Sequence, residues 1–380
     1  MKNTTNLRSC VIISSQAFSL INFRESVIRS LVKMGVCVYA LAPDYDDDLR
    51  LKVVDLGAQP VDFSLSRTGV NAVRDALDTV RLAFLLRRLR PDVTLSYFIK
   101  PVIFGTLAAW MAGVPHRVAM IEGLGYVFTS NGQLETLQRK FLRGLVIQLY
   151  RMALAHAHKI IFLNQDDIDE FLEAGLLQQC KVVKLGGIGV NLADWPCSQP
   201  AKEPITFLLA ARLLREKGIV EYVSAAKIVK SRHPAARFVL LGGLDCNPGS
   251  LSETEVNTWV AQGLVEWPGH VAVQPWLAQA SVYVLPSYRE GVPRSTQEAM
   301  AMGLPVITTN VPGCRETVDH GVNGLLVPVR DVPALAASML HLIERPELIP
   351  AMGLESRRLA EERFDAAKIN ARLIRVLEER

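Results

Sequence analysis

The 380-residue sequence lacks the features that mark secreted, membrane-spanning and repeat proteins. Its six cysteines form no C-x-x-C pair and have no metal-type spacing with histidine, so we expect a reducing compartment. The longest apolar candidate, residues 102–112, falls short of the roughly 18 residues that a membrane-spanning helix needs. A secretory-signal pattern and a fixed short repeat are missing as well. These absences predict a cytoplasmic protein.

A strong charge of either sign is also missing, since the formal net charge is only +4. This value and the distribution of basic residues argue against a nucleic-acid partner. The basic residues concentrate in two stretches, residues 81–90 and 139–159. For each stretch, a solvated helix face and a contact with anionic lipid remain as alternatives.

The remaining composition is that of a chain that folds throughout, with 49% apolar and 21% charged residues. At this length one hydrophobic core is rarely enough, so we expect two domains. We predict a first domain over residues 1–185, a linker over 186–204 and a second domain over 205–354. A C-terminal helix over residues 355–380 is expected to pack back on the first domain.

Short apolar strands alternate with helices in both predicted domains. The most clearly patterned elements are helices 23–34, 102–111 and 295–302 and strands 93–97, 237–241 and 282–285. Such alternation indicates parallel sheets with helices on both faces. The predicted fold class is therefore α/β, with two Rossmann-like doubly wound domains facing each other across a cleft. Ligands are expected at the carboxyl ends of the strands.

The densest motif is YVLPSYREGVPRSTQEAMAMGLPVITT, residues 283–309, which places a loop and a short helix between two buried strands. Ser295 and Glu298 fit a capping box, which accounts for both by local structure alone. That explanation leaves out Glu290 and Gly291, in the loop over the same helix N-terminus. Because the free N–H groups of a helix N-terminus bind phosphate, the motif indicates a phosphate-bearing ligand.

A second motif, LLAARLLREKGI at residues 208–219, places Arg212 and Lys217 where a strand ends and a helix begins. The two cations are either a surface pair beside the helix or a grip for an anionic ligand. Fixed cations of this kind can stabilise a departing diphosphate by charge.

The motif at residues 283–309 resembles the signature of family 4 retaining glycosyltransferases, in which two glutamates with seven residues between them precede an A-M-A-x-G-x-P-V run. The resemblance implies the GT-B fold, built from two Rossmann-like domains. It also implies that Glu290 contacts the donor sugar, that Glu298 binds the ribose diol, and that Arg212 and Lys217 hold the diphosphate. Since these cations would do the work of a metal, no metal and no cofactor are expected.

Two further segments are compared with the same family. Gly242 and Gly243 follow a second-domain strand, where they fit either a close approach of the nucleotide or plain turn chemistry. Residues 14–24 are predicted to form the loop after the first strand, where many family members carry a glycine pair. This loop has serines instead, so contact with the donor and contact with the acceptor both stay open.

Glu122 lies in AMIEGLGYVFTSNG, residues 119–132, just before a Gly-x-Gly turn at the end of a first-domain strand. This segment is similar to bacterial transferases that extend undecaprenyl-diphosphate-linked sugars, including those of protein N-glycosylation. The same holds for INFR at residues 21–24, GGLDCNP at residues 242–248 and the region around Arg139. The closer resemblance implies that the first domain binds the acceptor. It also implies that Glu122 serves the acceptor hydroxyl, as base or as ligand.

Two metal-site interpretations are rejected. The acidic run PDYDDDLR, residues 43–50, imitates a D-x-D motif but lies far along the chain from the other site residues, and we predict a solvated acidic loop. His156 and His158 are expected two apart on one helix, where they would point to different faces.

The resemblance as a whole implies a retaining hexosyltransferase with a nucleotide sugar, a polyprenyl-diphosphate-linked acceptor and an anionic membrane surface as partners. It would move a hexose or N-acetylhexosamine from a UDP-type donor at the inner face of the cell membrane. The alternatives are a transferase with a soluble acceptor and a nucleotide-sugar epimerase on the same fold. A non-catalytic sugar-nucleotide sensor is a third alternative.

Residues 134–159 are the predicted membrane contact, through apolar residues at three- and four-residue spacing with cationic flanks. The apolar residues are Leu137, Phe141, Leu145, Leu149 and Met152, and the cations are Arg139, Lys140, Arg143 and Arg151. A buried helix of a Rossmann layer explains the same spacing, and both interpretations are carried forward.

Overall fold

Runs of apolar and β-branched residues form parallel strands in both halves of the chain. A computed structural model describes residues 7–66, 71–124, 137–201, 203–245, 247 and 249–379. Contacts divide these residues into two units. The first unit takes the described residues up to 188 and again from 366, and the second takes 189–365. Each unit is built on a parallel sheet covered by helices, which confirms the predicted α/β class.

The first unit alternates strands and helices along the chain. Its strands are β1 (Ser9–Ile13), β2 (Cys37–Ala42), β3 (Gln59–Asp62), β4 (Val93–Tyr97), β5 (His116–Ile121), β6 (Lys159–Phe162) and β7 (Val182–Lys184). Its helices are α1 (Ala17–Lys33), α2 (Asp47–Asp55), α3 (Ala72–Leu89), α4 (Thr106–Met111), α5 (Leu137–Ala155) and α6 (Gln165–Glu173). A π-helical turn at Pro101–Gly105 leads into α4, so the predicted helix 102–111 is regular only in its second half.

The described strands of this sheet run in the order β3-β2-β1-β4-β5-β6-β7. The order reverses between β1 and β4, which pair in parallel from Cys10–Val93 to Ile13–Ser96. The loops that follow these two strands therefore leave in opposite directions, and this is where open α/β sheets bind ligands.

The second unit repeats the pattern. Its strands are β8 (Thr206–Ala210), β9 (Arg237–Leu241), β10 (Glu266–Gly269), β11 (Val282–Leu285), β12 (Val306–Thr309) and β13 (Gly324–Val327). Its helices are α7 (Ile219–Arg232), α8 (Glu253–Ala261), α9 (Gln274–Leu277), α10 (Arg294–Ala301), α11 (Val332–Glu344) and α12 (Leu348–Arg363). The described strands run in the order β10-β9-β8-β11-β12-β13, which reverses between β8 and β11.

The core of the second unit forms where α7 and α11 cover this sheet. Phe207 and Phe238 stack on neighbouring strands with ring centroids 5.1 Å apart. The buried Tyr222 hydroxyl donates to the carbonyl oxygens of Phe207 and Val239 at 2.7 and 3.1 Å, so its polar group is satisfied inside the core.

The chain returns to the first unit through α13 (Ala366–Glu378), which packs on α1. His116 Nε2 lies 3.0 Å from the Val376 carbonyl oxygen, and Asn370 Nδ2 donates to Ser26 Oγ at 2.6 Å. The return begins later than residue 355, because α12 packs against α10 inside the second unit.

Helix α1 begins six residues earlier than its predicted start at Phe23. Its N-terminal end is fixed by Asp44, which accepts a hydrogen bond from the Ala17 N–H at 2.6 Å. The expected loop over residues 14–24 is therefore a short turn followed by helix, which corrects the prediction. Among the described helices, none is both long and apolar enough to cross a membrane.

Candidate functional site

The reversal of strand order in the second unit brings two predicted site residues together. Lys217 follows β8 and Glu290 follows β11, and these strands are neighbours. Lys217 Nζ donates to Glu290 Oε1 at 2.5 Å, and both side chains are largely buried. The sheet topology therefore places a cation and a carboxylate, 73 residues apart in sequence, at one point of its carboxyl edge.

The loop that carries Glu290 is held from several sides. Ser287 Oγ donates to Glu290 Oε1 at 2.7 Å, and the Glu290 N–H donates to the Pro312 carbonyl oxygen at 3.1 Å. A Cβ on Gly313 would lie 2.2 Å from the Glu290 carbonyl oxygen and 2.4 Å from that of Gly291. The backbone after β12 thus fits against this loop only as glycine, and the Glu290 carboxylate is held in place.

Helix α10 begins at Arg294 rather than at Ser295, and its N-cap is Pro293 without a side-chain cap. The predicted capping box between Ser295 and Glu298 is wrong. Pro293 gives the chain an extended conformation where it enters the helix. Glu298 lies one turn after Arg294, and Arg294 Nε donates to Glu298 Oε1 at 2.8 Å. Burial raises the pKa of the Glu298 carboxyl, and the Arg294 charge opposes that rise.

Arg212 lies in the same loop as Lys217 but has a different partner. Its Nη1 donates at 3.0 Å to Oδ2 of Asp245, which lies in the loop after β9. More than half of the Arg212 side chain is exposed. The sequence reasoning did not identify Asp245, because its role depends on two strand ends that are adjacent only in the folded sheet.

The two glycines after β9 differ in what they require. Gly242 has φ +148°, and a Cβ there would lie 1.8 Å from the Ala211 carbonyl oxygen. Gly243 has no such conflict, since the nearest atom to its Cβ would be His270 Cβ at 3.4 Å. Local backbone geometry thus accounts for Gly242, whereas nothing in the described structure requires glycine at position 243.

In the first unit, Glu122 follows β5 and pairs with the buried Arg24 of α1. Arg24 also lies over the ring of Tyr97, with its guanidinium carbon 4.3 Å from the ring centroid. The Tyr97 hydroxyl is 2.7 Å from Ser19 Oγ, which is 2.7 Å from Ser14 Oγ. Two serines of the predicted loop therefore belong to a buried polar network beneath the carboxyl edge of the sheet.

Sequence reasoning missed Arg24, although INFR was part of the family comparison. The pair spans 98 residues, and a lone arginine on an apolar helix gives no local signal of its partner. In the structure, Arg24 holds one carboxylate oxygen of Glu122, Oε1. A buried guanidinium of this kind fixes the orientation of its partner carboxylate.

The three site glutamates share one arrangement. Within the described residues, the side-chain hydrogen bonds to Glu290, Glu298 and Glu122 all reach Oε1. Lys217 and Ser287 donate to Glu290, Arg294 donates to Glu298, and Arg24 donates to Glu122. Each carboxylate is thus anchored through one oxygen, and the other oxygen can accept a hydrogen bond from a ligand hydroxyl.

The aspartates of the acidic run at residues 43–50 are exposed, as predicted, but the run is a loop only up to Asp46, since α2 begins at Asp47. Asp46 accepts from the Leu49 N–H at the start of α2, and Asp44 accepts from α1 as described above. His156 and His158 follow the end of α5 instead of lying on it, which corrects their predicted placement. His156 stacks on Trp110, and burial together with Arg117 lowers the pKa of His158 to about 4.

Helix α5 packs on the core of the first unit along the part whose side chains are described. Val146, Tyr150 and Leu154 are buried, and Tyr150 contacts Phe171 edge to face. Of the predicted apolar stripe, Leu145 and Leu149 are half-buried, Met152 is exposed, and the side chains at positions 137–139 and 141 lie outside the described residues. These contacts favour the core-helix interpretation over the membrane contact.

Two family models match the chain, one in each unit. The model described as "Glycosyl transferase 4-like" matches residues 45–164 of the first unit. The model described as "Glycosyl transferases group 1" matches residues 204–345 of the second unit. Together the two matches span more than half of the chain.

Curated relatives and solved structures are similar over most of the chain. The N,N'-diacetylbacillosaminyl-diphospho-undecaprenol alpha-1,3-N-acetylgalactosaminyltransferase of Campylobacter jejuni is 29% identical over 351 residues, covering 88% of this chain and 89% of that protein. The UDP-Gal:alpha-D-GlcNAc-diphosphoundecaprenol alpha-1,3-galactosyltransferase of Escherichia coli is 25% identical over 72% of each chain. The fold matches Anabaena HepE in complex with UDP and glucose, with a TM-score of 0.76, 16% identity, and coverage of 99% of this chain and 100% of that one.

Proposed function

Because the chain belongs to the GT-B glycosyltransferases of the family 4 type and is a hexosyltransferase, we propose that it extends a polyprenyl-diphosphate-linked saccharide by one sugar. The donor is a UDP-linked hexose or N-acetylhexosamine, and the sugar keeps its anomeric configuration. The Lys217–Glu290 pair at the strand reversal of the second sheet carries the proposal for the donor site. The names of the relatives from Campylobacter jejuni and Escherichia coli support the lipid-linked acceptor.

In this proposal the second unit binds the donor. Lys217 and Arg212 attract the diphosphate, and the N-terminus of α10 adds free N–H donors beside Gly291. Glu290 accepts a sugar hydroxyl through its second carboxylate oxygen, and Glu298 accepts from the ribose diol in the same way. Gly243 lets the nucleotide approach the backbone, whereas Gly242 serves the fold.

The first unit binds the acceptor. Arg24 positions the Glu122 carboxylate, whose second oxygen receives a hydrogen bond from the acceptor hydroxyl. Since Arg24 is buried and pairs with Glu122, it holds that carboxylate where the acceptor hydroxyl can reach it. The lipid tail of such an acceptor places the enzyme at the inner face of the cell membrane.

The transfer exchanges one bond at the anomeric carbon. The bond to the diphosphate oxygen breaks, and the acceptor oxygen bonds to the same face of the sugar. The acceptor proton passes to the departing diphosphate, so that UDP and the extended lipid are the products. The residues chiefly orient the reactants and stabilise the negative charge that develops on the departing diphosphate. Lys217 and Arg212 provide this stabilisation without a metal.

A donor panel tests this function directly. The purified protein is incubated with UDP-linked hexoses and N-acetylhexosamines, with and without a polyprenyl-diphosphate-linked N-acetylhexosamine, and the lipids are analysed by mass spectrometry. We expect one donor to add one sugar residue to the lipid, with UDP released only when the acceptor is present. An isomerised nucleotide sugar without acceptor would identify an epimerase instead, and transfer only to soluble saccharides would replace the lipid acceptor.

A further inference from the structure

Helix α3 exposes an apolar stripe that no part of the described structure covers. Val73, Leu77, Val80 and Phe84 are 72%, 54%, 39% and 66% exposed. They follow one another at intervals of four, three and four residues, so they lie within about 60° of the helix circumference. Single exposed apolar residues are common, but four in one row on one helix mark an interaction surface.

The polar residues on the same face of α3 are all arginines. At about 100° per residue, Arg74, Arg81 and Arg88 lie along one flank of the stripe, and Arg87 lies along the other. All four are exposed. The outer face of α3 therefore consists of apolar and cationic side chains, together with small alanines.

The carboxylates of α3 point the opposite way. Asp75 and Asp78 are each only 2% exposed. Asp75 is paired with Lys100 Nζ at 2.8 Å, and Asp78 lies 3.4 Å from Arg81 and 3.8 Å from Arg74. All residues of this helix are described, and its exposed charged side chains are all arginines, of which Arg74 and Arg81 also lie near the buried Asp78.

Helix α4 extends the surface beside the C-terminal half of α3. Trp110 and Met111 at its end are 48% and 41% exposed, and Arg87 donates to the Met111 carbonyl oxygen at 3.3 Å. The Trp110 ring stacks on His156, so we define the α3 surface as Met111 together with the stripe and its arginines. Aromatic and aliphatic residues flanked by arginine are the combination that binds at the boundary between lipid headgroups and acyl chains.

We propose that the α3 surface docks the first unit onto an anionic lipid bilayer. The apolar stripe enters the headgroup region, and the arginines on its flanks pair with lipid phosphates through their planar guanidinium groups. The charge pattern selects this occupant, because two copies of the surface pressed together would oppose arginines to arginines. The inference rests on the proposed function in one respect, namely that a lipid-linked acceptor makes a bilayer the relevant partner.

The inner face of α3 connects this surface to the acceptor side of the first unit. Asp75 holds Lys100, which comes three residues after the end of β4 at the strand reversal. Phe98, between β4 and Lys100, adopts φ +69°, a strained conformation for a residue with a side chain. A bilayer bound on the outer face of α3 would therefore lie on the other side of the helix that fixes this strand end.

Vesicle flotation tests the proposal with the full chain. We expect the wild type to float with phosphatidylcholine vesicles containing about one third phosphatidylglycerol, and to be released at high salt. The variants Leu77→Ser/Phe84→Ser and Arg87→Glu/Arg88→Glu should lower the floated fraction at least about tenfold. Because all four residues are exposed, circular dichroism and the melting temperature should stay unchanged.

Matched controls on other helices of the first unit separate this surface from general stickiness. Leu51→Ser/Val54→Ser changes two exposed apolar residues of α2, and Arg372→Glu/Arg375→Glu changes two exposed cations of α13. Both controls should float like the wild type. Flotation of the α3 variants at the wild-type level would overturn the proposal, as would a wild type that does not bind anionic vesicles.

Two further readouts separate the α3 surface from its rivals and from the catalytic proposal. If the α3 variants turn a dimer into a monomer without changing flotation, the surface is a self-association interface and the proposal fails. With a short-chain acceptor in detergent, the α3 variants should retain the wild-type rate, whereas with a vesicle-embedded acceptor they should lose it. A wild type that floats but transfers no sugar would leave docking intact and contradict the proposed function.

Discussion

Loss of the Lys217 side chain should lower catalysis strongly. Lys217 supplies a nearly buried cation at the strand reversal, where the proposed diphosphate leaves. We expect Lys217→Ala to lower kcat/KM by about 30- to 1,000-fold, since one strong electrostatic group contributes roughly 2–4 kcal/mol to the transition state. Lys227→Ala, which removes an exposed lysine of α7, is the matched control and should change kcat/KM less than about twofold. A loss below tenfold for Lys217→Ala would move the diphosphate site elsewhere.

Glu298 should give donor binding a distinctive pH dependence. Its pKa is raised by burial, and the proposed contact with the ribose diol needs the ionised carboxylate. Protonation therefore competes with donor binding, so affinity for UDP should fall as the pH drops through this raised pKa. That fall should come at a higher pH than the ordinary glutamate value of about 4.3.

Calorimetric titration of UDP from about pH 5 to about pH 7.5 measures this effect. Glu298→Gln should weaken binding at neutral pH by about 10- to 150-fold, the equivalent of one hydrogen bond to a charged group, and should flatten the profile. Glu362→Gln, at an exposed position of α12, should keep the wild-type profile. An unchanged affinity and an unchanged pH profile in Glu298→Gln would remove this glutamate from the donor site.

At the residue scale, the sequence predicted which chemical groups lie at strand ends but not which groups pair with them. Lys217 and Glu290 belong to recognisable motifs, and parallel-sheet topology brings their loops together. Arg24 and Asp245 were missed because each acts through a partner on another loop or helix, and no local spacing records such a pair.

At the scale of elements, the turn after β9 distinguishes a glycine needed for folding from one available to a ligand. Gly242→Ala would force a Cβ to within 1.8 Å of the Ala211 carbonyl oxygen in a left-handed backbone, so we expect a melting temperature lower by several degrees. Gly243→Ala should leave the melting temperature unchanged and weaken UDP binding, because its Cβ meets only ordinary contacts. Equal stability of the two variants would contradict this distinction, and unchanged UDP affinity in Gly243→Ala would remove it from the nucleotide site.

Strands were predicted more accurately than helix starts. The bounds of β4, β9 and β11 match the apolar runs of the sequence, because a buried strand in a parallel sheet is hydrophobic on both faces. The starts of α1 and α10 were misplaced, since the first is fixed by Asp44 from another loop and the second by Pro293. The capping box of the second unit lies instead at Ser252 and Glu255, at the start of α8.

At the scale of the whole molecule, α13 completes the first unit after the chain has built the second. Its buried side chains Ile369, Leu373 and Leu377 pack where α1 and β5 would otherwise be uncovered. Truncation after Asp365 should therefore destabilise the first unit by more than about 5 kcal/mol, since each buried aliphatic side chain contributes roughly 1.5–3 kcal/mol.

Calorimetry of the truncated chain should show this as a first transition shifted to lower temperature while the second unit melts as before. Truncation after Glu378 is the matched control, because it retains the whole of α13. A single unchanged transition in the shorter chain would show that α13 does not stabilise the first unit.

The two-sheet architecture could be predicted from periodicity, whereas the α3 surface could not. From the sequence alone, residues 81–90 fit a solvated helix face equally well, because the sequence does not show which side of the helix packs on the core. The same reasoning placed the membrane contact on α5, whose described apolar side chains are buried or half-buried except for Met152 and Ala155. Only burial distinguishes an apolar stripe that faces the core from one that faces solvent.

The central claim is a metal-independent, retaining transfer to a lipid-linked saccharide, and the structure of the product formed in excess EDTA tests it most directly. The protein is incubated with its UDP-α-linked donor and a polyprenyl-diphosphate-linked acceptor, and the anomeric configuration of the new linkage is read by NMR. The account predicts an α-linked product, one sugar longer, formed at the same rate with and without EDTA. A β-linked product, or a rate that EDTA abolishes and Mg²⁺ or Mn²⁺ restores, would contradict it.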